Sequence, residues 1–228
     1  MRVVFGLYFI FSTFFHSYSF AQQKISIPLN EWSSQRVLSK ALGNVISDAG
    51  IPVEYVEISV NDQWGALKRG VIDFQIEVWE PSMKNPFETL VENNEIIEVG
   101  THEATVIEDW WYPNYVEKYC PSLPQWTALN ECIALFKKKT SDSKGVYYGG
   151  PWDYGDADII RALNINFEIS RLANGMELWN QLALAVEKEQ PIVLLNWSPN
   201  WTDKYASGTF IQFPEYEENC ETNPDGGL

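Results

Sequence analysis

The stretch PIVLLNWSPNW, Pro191 to Trp201, begins as a strand and ends in a loop carrying two tryptophans. Ile192 to Asn196 is a short apolar run of the kind a parallel sheet buries on both faces. Tryptophan is highly buried on average, so core packing is the plain reading of one such stretch. A second stretch changes the weighing. IEVWEPSMKN, Ile76 to Asn85, follows the same plan of apolar strand, Trp, Glu or Ser, then Pro. Trp79 and Trp197 are thereby predicted to occupy one structural slot, the carboxyl end of a strand, in each half of the chain. In open α/β sheets that end is where ligands bind.

Around these two stretches the chain alternates strands and helices. Lys24 to Leu29 reads as a strand, with Ser33 capping a helix to about Ala49, closed by Gly50. Val53 to Val60 is a second strand, and Asn61 or Asp62 caps a short helix holding Trp64. Asp73 to Val78 reads as a third strand delivering Trp79, with a helix over Met83 to Asn93 and a strand over Ile96 to Val99. The second half repeats the scheme. Gly145 to Gly149 leads to Trp152 in the loop GGPWDYGD, a helix starts near Asp156, FEIS is a strand, and an amphipathic helix spans about Met176 to Glu189. This rhythm predicts an α/β fold with parallel sheets. The aromatic segment THEATVIEDWWYPNYVEKYC between the halves suits a crossover.

The first residues, MRVVFGLYFIFSTFFHSYSFAQQ, have the form of a secretory signal: Arg2, an apolar run from Val3 to Phe15, and a small-x-small site at Ser19-Phe20-Ala21. Cleavage near Ala21 would start the mature chain at Gln22, exported to the periplasm; an uncleaved anchor is the alternative. Removing Arg2 from the 16 basic residues leaves 15 against 31 acidic ones, a net charge of −16. So acidic a chain is a poor partner for nucleic acid or an anionic membrane, both of which need basic patches.

In an oxidising compartment the cysteines are expected to pair. Cys120 and Cys132 bracket a short loop, CPSLPQWTALNEC, and are the expected disulfide. Cys220 is then left over, close to the last residue. The chain is on this account expected to be a fragment, with the partner of Cys220 outside it.

Ten tryptophans, with aromatic residues at 14% of the chain, call for a ligand with matching chemistry. Electron-rich faces converging from several strand ends suit an organic cation. A quaternary ammonium has no N–H to donate, and cation–π attraction holds it at about 2 kcal/mol or more per desolvated ring. Three such walls would supply most of the roughly 8 kcal/mol needed for micromolar affinity. Glu31, Glu77, Glu80, Glu103, Glu108 and Asp153 add a favourable field. No nucleophile elbow surrounds Ser198, His102 has no catalytic partner, and no His/Cys/Asp cluster has metal spacing, so neither catalysis nor a cofactor is expected.

At EVWEPSMKN, DWWYPNYVEKYCPSLPQWTALNEC, GGPWDYGD and NWSPNW the chain resembles the periplasmic substrate-binding proteins of ABC importers for glycine betaine, proline betaine, choline and trimethylamine N-oxide. The resemblance implies a two-lobed periplasmic binding protein of type II-like architecture, with its ligand cleft between the lobes. It implies a tryptophan box built from Trp79, Trp152 and Trp197, a membrane permease as partner, and a monomer. Trp111 in the crossover and Trp32 after the first strand are further candidate walls. Glu103 and Glu108 are candidate ligand carboxyls, with solvated surface residues as the plain alternative. The expected lobes are residues 22–104 and 105–205, with 206–228 returning toward the first. The crossover resembles the trimethylamine N-oxide branch, and the absence of arginine from the cleft segments disfavours a ligand carboxylate. The expected order is trimethylamine N-oxide, then betaine, then choline. Ser198 and Asn200 stand where the family often shows Thr and His. The rival is a secreted glycan-binding or glycan-cleaving protein, which needs aromatics along an open groove and two carboxylates facing across it.

Overall fold

The computed structural model describes residues 24–139, 143–152 and 155–215. The signal segment, Asp153, Cys220 and residues 216–228 lie outside the described residues. Two sheets organise the chain. The first is a parallel pair, β1 (Ile25–Leu29) and β2 (Val53–Glu57), joined through α1 (Ser33–Asp48). The second has five strands in the order β5-β4-β6-β3-β7, formed by β3 (Ile107–Pro113), β4 (Gly145–Gly149), β5 (Phe167–Arg171), β6 (Val193–Ser198) and β7 (Gly208–Phe210).

β6 is the opening stretch, and it lies at the centre of the larger sheet. Val193, Leu194 and Leu195 are fully buried because neighbours cover both faces and both edges. The sheet is mixed where parallel strands were expected. β6 runs parallel to β4 but antiparallel to β3, which is the middle of the supposed crossover. The crossover pairs because IEDWWYP is a seven-residue strand of aromatic and β-branched residues whose last four positions are buried. Beneath it Trp110 stacks on Tyr147 at 3.8 Å, with Phe167 tilted and Phe213 edge-on against the same indole.

Two helices aim the site. α6 (Gly175–Glu187) buries Leu178, Trp179, Leu182 and Ala185, a single stripe at helical spacing. Asn174 caps it by accepting from Glu177 N at 3.0 Å, while Glu177 accepts from Ala173 N at 2.9 Å. α1 starts at Ser33 itself, so Ser33 is helical rather than the cap; the extended Trp32 is the last residue outside. The buried face of α1 is polar. Gln35 accepts from Asn30 N and donates to Pro28 O, Ser39 Oγ and Gln75 Oε1, tying β1 to the segment before α3 (Glu80–Glu92).

That segment, Asp73 to Val78, is not the third strand its sequence suggests. Gln75 turns its own amide back to accept from Ile76 N and Glu77 N, which satisfies donors a strand neighbour would have taken. Ile96 to Val99 is also coil, and Ile97 and Val99 are almost fully exposed, with no sheet edge against them. The other predicted elements of the second half form as read, including the helix α5 (Asp156–Ala162). β7 joins the edge of the larger sheet, and Gln212 bridges to Gln125, so the chain stays on this sheet beyond residue 205.

Cys120 and Cys132 are disulfide-bonded. The bridge closes the loop that carries Trp126 and α4 (Ala128–Glu131).

Candidate functional site

Four tryptophans arrive at one place from four separate segments, three of them loops and one a strand end. Trp32 follows β1, Trp79 precedes α3, Trp152 follows β4, and Trp197 is the penultimate residue of β6. Trp79 meets Trp197 with ring centroids 6.5 Å apart, Trp152 meets Trp197 at 6.0 Å, and Trp32 meets Trp152 at 6.1 Å. Interplanar angles of 67 to 75° set each pair edge to face. All four are buried. The group spans the two sheets, since Trp32 and Trp79 belong to the first half and Trp152 and Trp197 to the second.

Trp111 stands apart from this group. It alternates with Trp110 along β3 and lies over Gly208 of β7, and none of the described ring contacts joins it to the four. Glu103 is exposed coil. Glu108 is brought in: it is the register partner of Trp197 across β3 and β6, and it accepts from Ser82 Oγ at 3.3 Å. Burial pushes its carboxyl up to about 8, so it is largely a neutral acid at pH 7. Asp109 rises to about 7 for the same reason. Asp156 is fully buried, accepts from Trp110 Nε1 at 3.0 Å and pairs with Arg171 Nη1 at 2.6 Å.

Two contributors were not singled out in the sequence. Trp179 of α6 packs on Trp197 at 4.8 Å and receives the edge of Trp201 at 5.7 Å, forming a second aromatic layer. Its position in a plain apolar stripe gave it no distinguishing mark. Glu77, counted only as part of the acidic field, accepts from Trp79 Nε1 at 3.0 Å. Strand-like alternation puts positions 77 and 79 on one side, which is the signal that could have found it.

The Ser198–Pro199 bond that follows Trp197 is cis. The polar residues around it satisfy one another. Ser198 Oγ donates to Asp203 Oδ2 at 2.9 Å, Asn200 N to the same oxygen at 3.0 Å, Asn200 Nδ2 to Asn196 Oδ1 at 3.0 Å, and Thr202 N to Asn200 Oδ1 at 2.6 Å. The indole N–H groups of Trp152, Trp179 and Trp197 are buried with no acceptor among the described residues.

The halves touch beside the cluster. Gly175 N donates to Glu31 O at 3.0 Å, joining the start of α6 to the loop after β1. A cleft of about 580 Å³ opens next to this contact, walled by Glu31, Arg36, Asn174, Met176 and Trp179. The aromatic rings converge rather than spread along a groove, and the comparisons with known proteins give the glycan reading no support.

A fold of two α/β halves with aromatic rings gathered between them defines a two-lobed binding protein. Comparison places the chain within that class. Residues 23–226 match the family described as the substrate-binding domain of ABC-type glycine betaine transport systems, and the chain belongs to that family. It is the substrate-binding component of an ABC transporter and acts by binding, not catalysis. The trimethylamine N-oxide-binding protein of Pelagibacter ubique is 33% identical over 217 residues, covering 91% of this chain and 68% of that protein. Among solved structures, the glycine betaine/L-proline-binding protein ProX of Borrelia burgdorferi superposes with a TM-score of 0.69 at 18% identity, over 84% of this chain and 69% of its own. An ABC-transporter choline-binding protein in complex with choline gives 0.68 at 17% identity, over 82% and 64%.

Proposed function

We propose that the chain captures a small trimethylammonium compound, trimethylamine N-oxide first, and delivers it to the membrane permease of an ABC importer. The convergence of Trp32, Trp79, Trp152 and Trp197 carries this reading. Rings whose centroids lie 6.0 to 6.5 Å apart at steep angles form corners, and a cation admitted to such a corner can face two walls within the roughly 6 Å reach of cation–π attraction. A methylated ammonium fills such a corner without asking for a hydrogen bond.

The far end of the ligand decides among candidates. Glu108, held neutral, can donate its O–H to an N-oxide oxygen, and the unpaired indole N–H groups of Trp152 and Trp197 favour a ligand that brings an acceptor. A carboxylate asks for charge-assisted donors. The nearby guanidinium of Arg171 is committed to Asp156 and Trp152 O, and the Ser198–Asp203 loop spends its donors internally. Choline therefore ranks ahead of glycine betaine, the reverse of the order expected from sequence. The 33% identity to a trimethylamine N-oxide-binding protein agrees with the first place.

In this reading residues 22–104 and 105–205 are the lobes, the second extended by β7, and Trp111 and Glu103 lie outside the four-ring site. The chain works in the periplasm as a monomer after losing residues 1–21. Calorimetry with trimethylamine N-oxide, choline, glycine betaine, proline and an oligosaccharide tests the proposal. Micromolar binding of the N-oxide, with weaker binding of the other two ammonium ligands, is expected. Binding of the sugar alone would overturn it.

A further inference from the structure

Glu77 does more than lie in an acidic neighbourhood. It is 7% exposed, and its Oε1 accepts from Trp79 Nε1 at 3.0 Å and from Ser34 Oγ at 2.8 Å. Trp32 lies against the same carboxyl without completing a hydrogen bond, and Oε2 is buried with no partner among the described residues. The group thus touches two of the four rings, one in each of the loops that follow β1 and precede α3. A carboxyl with an unsatisfied oxygen is expensive to bury, and a positive charge arriving beside it relieves that expense.

We propose that Glu77 is the specificity-determining counter-charge of the ligand site, holding the Trp79 wall and selecting against ligands that carry a distal carboxylate. The inference rests on the reading of the tryptophan cluster as an ammonium site. Two effects act together. Accepting the indole proton pushes electron density into the Trp79 ring, which strengthens its attraction for a cation. The carboxylate also adds a direct Coulomb attraction in a poorly hydrated place, where it is screened less than at the surface. A ligand of net positive charge gains most. A ligand with its own carboxylate gains least, because the negative end is repelled. Ser34 fixes the carboxyl by its hydroxyl. Burial raises the Glu77 carboxyl as well, while the hydrogen bonds from Ser34 and Trp79 favour its charged form, and a cation beside it favours ionisation further. Glu108, raised by burial, and His102, bonded to Ile76 O at 2.6 Å, are the other ionisable groups close by.

Titration calorimetry of choline, trimethylamine N-oxide and glycine betaine against the parent and Glu77→Gln tests this. The amide keeps the shape and an acceptor for Trp79 while removing the charge. Choline should weaken tenfold or more, the N-oxide several-fold, and betaine less than twofold. Equal losses for choline and betaine would reduce Glu77 to a wall support and overturn the proposal, as would no loss at all. If Glu77→Gln does not fold, Glu77→Asp serves. It keeps the charge but cannot reach both Ser34 and Trp79, so all three ligands should weaken by similar factors, and a selective loss of choline would overturn the assignment. A parent that binds none of the three sinks the ammonium reading, and this inference with it.

Discussion

Trp79 and Trp197 end matching stretches in opposite halves of the chain and meet edge to face with centroids 6.5 Å apart. Neither ring belongs to a private core. Trp79 is oriented by Glu77 and Trp197 is backed by Trp179, so each half contributes one ring and its support. A ligand touching both rings favours the arrangement in which the halves are together, and only such a ligand can shift the protein toward it.

Replacing Trp197 by Ala should weaken ligand binding by roughly 2 kcal/mol, about thirtyfold. Trp197 is 2% exposed, so the same change should also cost about 3–5 kcal/mol of stability. Trp197→Phe keeps a ring and should lose less of both. Calorimetry and denaturant melts on the pair separate the two effects.

Stability should fall as pH rises through the neutral range. Glu108 titrates near 4.5 when unfolded and about 8 when folded, and Asp109 near 3.8 and about 7. Between those values the folded state holds protons that the unfolded state has released. The favourable term is complete at low pH and lost progressively as pH climbs through the folded values. A lower melting temperature at pH 9 than at pH 6 is expected, with Glu108→Gln flattening the difference. Binding of trimethylamine N-oxide should weaken over the same rise, because ionised Glu108 can no longer donate.

Arg171→Met should destabilise the protein by about 1–3 kcal/mol, because the buried Asp156 carboxyl, already raised by burial, would lose its partly exposed guanidinium partner and be driven to take up a proton. Adding Asp156→Asn to that variant should recover part of the loss, since Trp110 Nε1 can still donate to the amide oxygen. Denaturant melts of the two single variants and the double close the cycle.

Replacing both Cys120 and Cys132 by Ala should cost about 3 kcal/mol, the amount expected for opening a short loop. A non-reduced digest should contain the Cys120–Cys132 peptide, and a Cys120–Cys220 peptide in its place would refute the pairing.

The strands and helices of the second half were legible because their periodicity and burial agree, as in Val193 to Leu195 and the α6 stripe. The strand in IEDWWYP was hidden by its proline and aromatic content, which suit a loop as well as a buried strand. Asp73 to Val78 misled in the other direction. Its alternation is real, but a single glutamine side chain outcompetes the strand partner, and no period in the sequence encodes that. Among the candidate residues, the strand-Trp-Pro pattern picked out Trp79 and Trp197, whose rings meet in the structure, whereas Trp111 differs from Trp110 only by the side of the sheet it takes. Glu103 and Glu108 were indistinguishable until register set Glu108 opposite Trp197.

The Gly175–Glu31 contact bears on how long a ligand stays. Its donor and acceptor are main-chain atoms, so only proline at 175 removes the donor outright, and other substitutions act through the space they fill. A Cβ on Gly175 would sit 3.3 Å from Glu31 O, so the Glu31 carbonyl would have to give by a few tenths of an ångström, which loosens the contact. On the proposed reading, dwell time would then be set partly by the backbone, independently of the rings proposed to set selectivity. Gly175→Ala should raise the dissociation rate in stopped-flow tryptophan fluorescence while leaving the order of preferred ligands unchanged. Residence and recognition would then be separately adjustable in one molecule: a change at position 175 alters how soon cargo is let go, and a change at the indoles alters what is picked up.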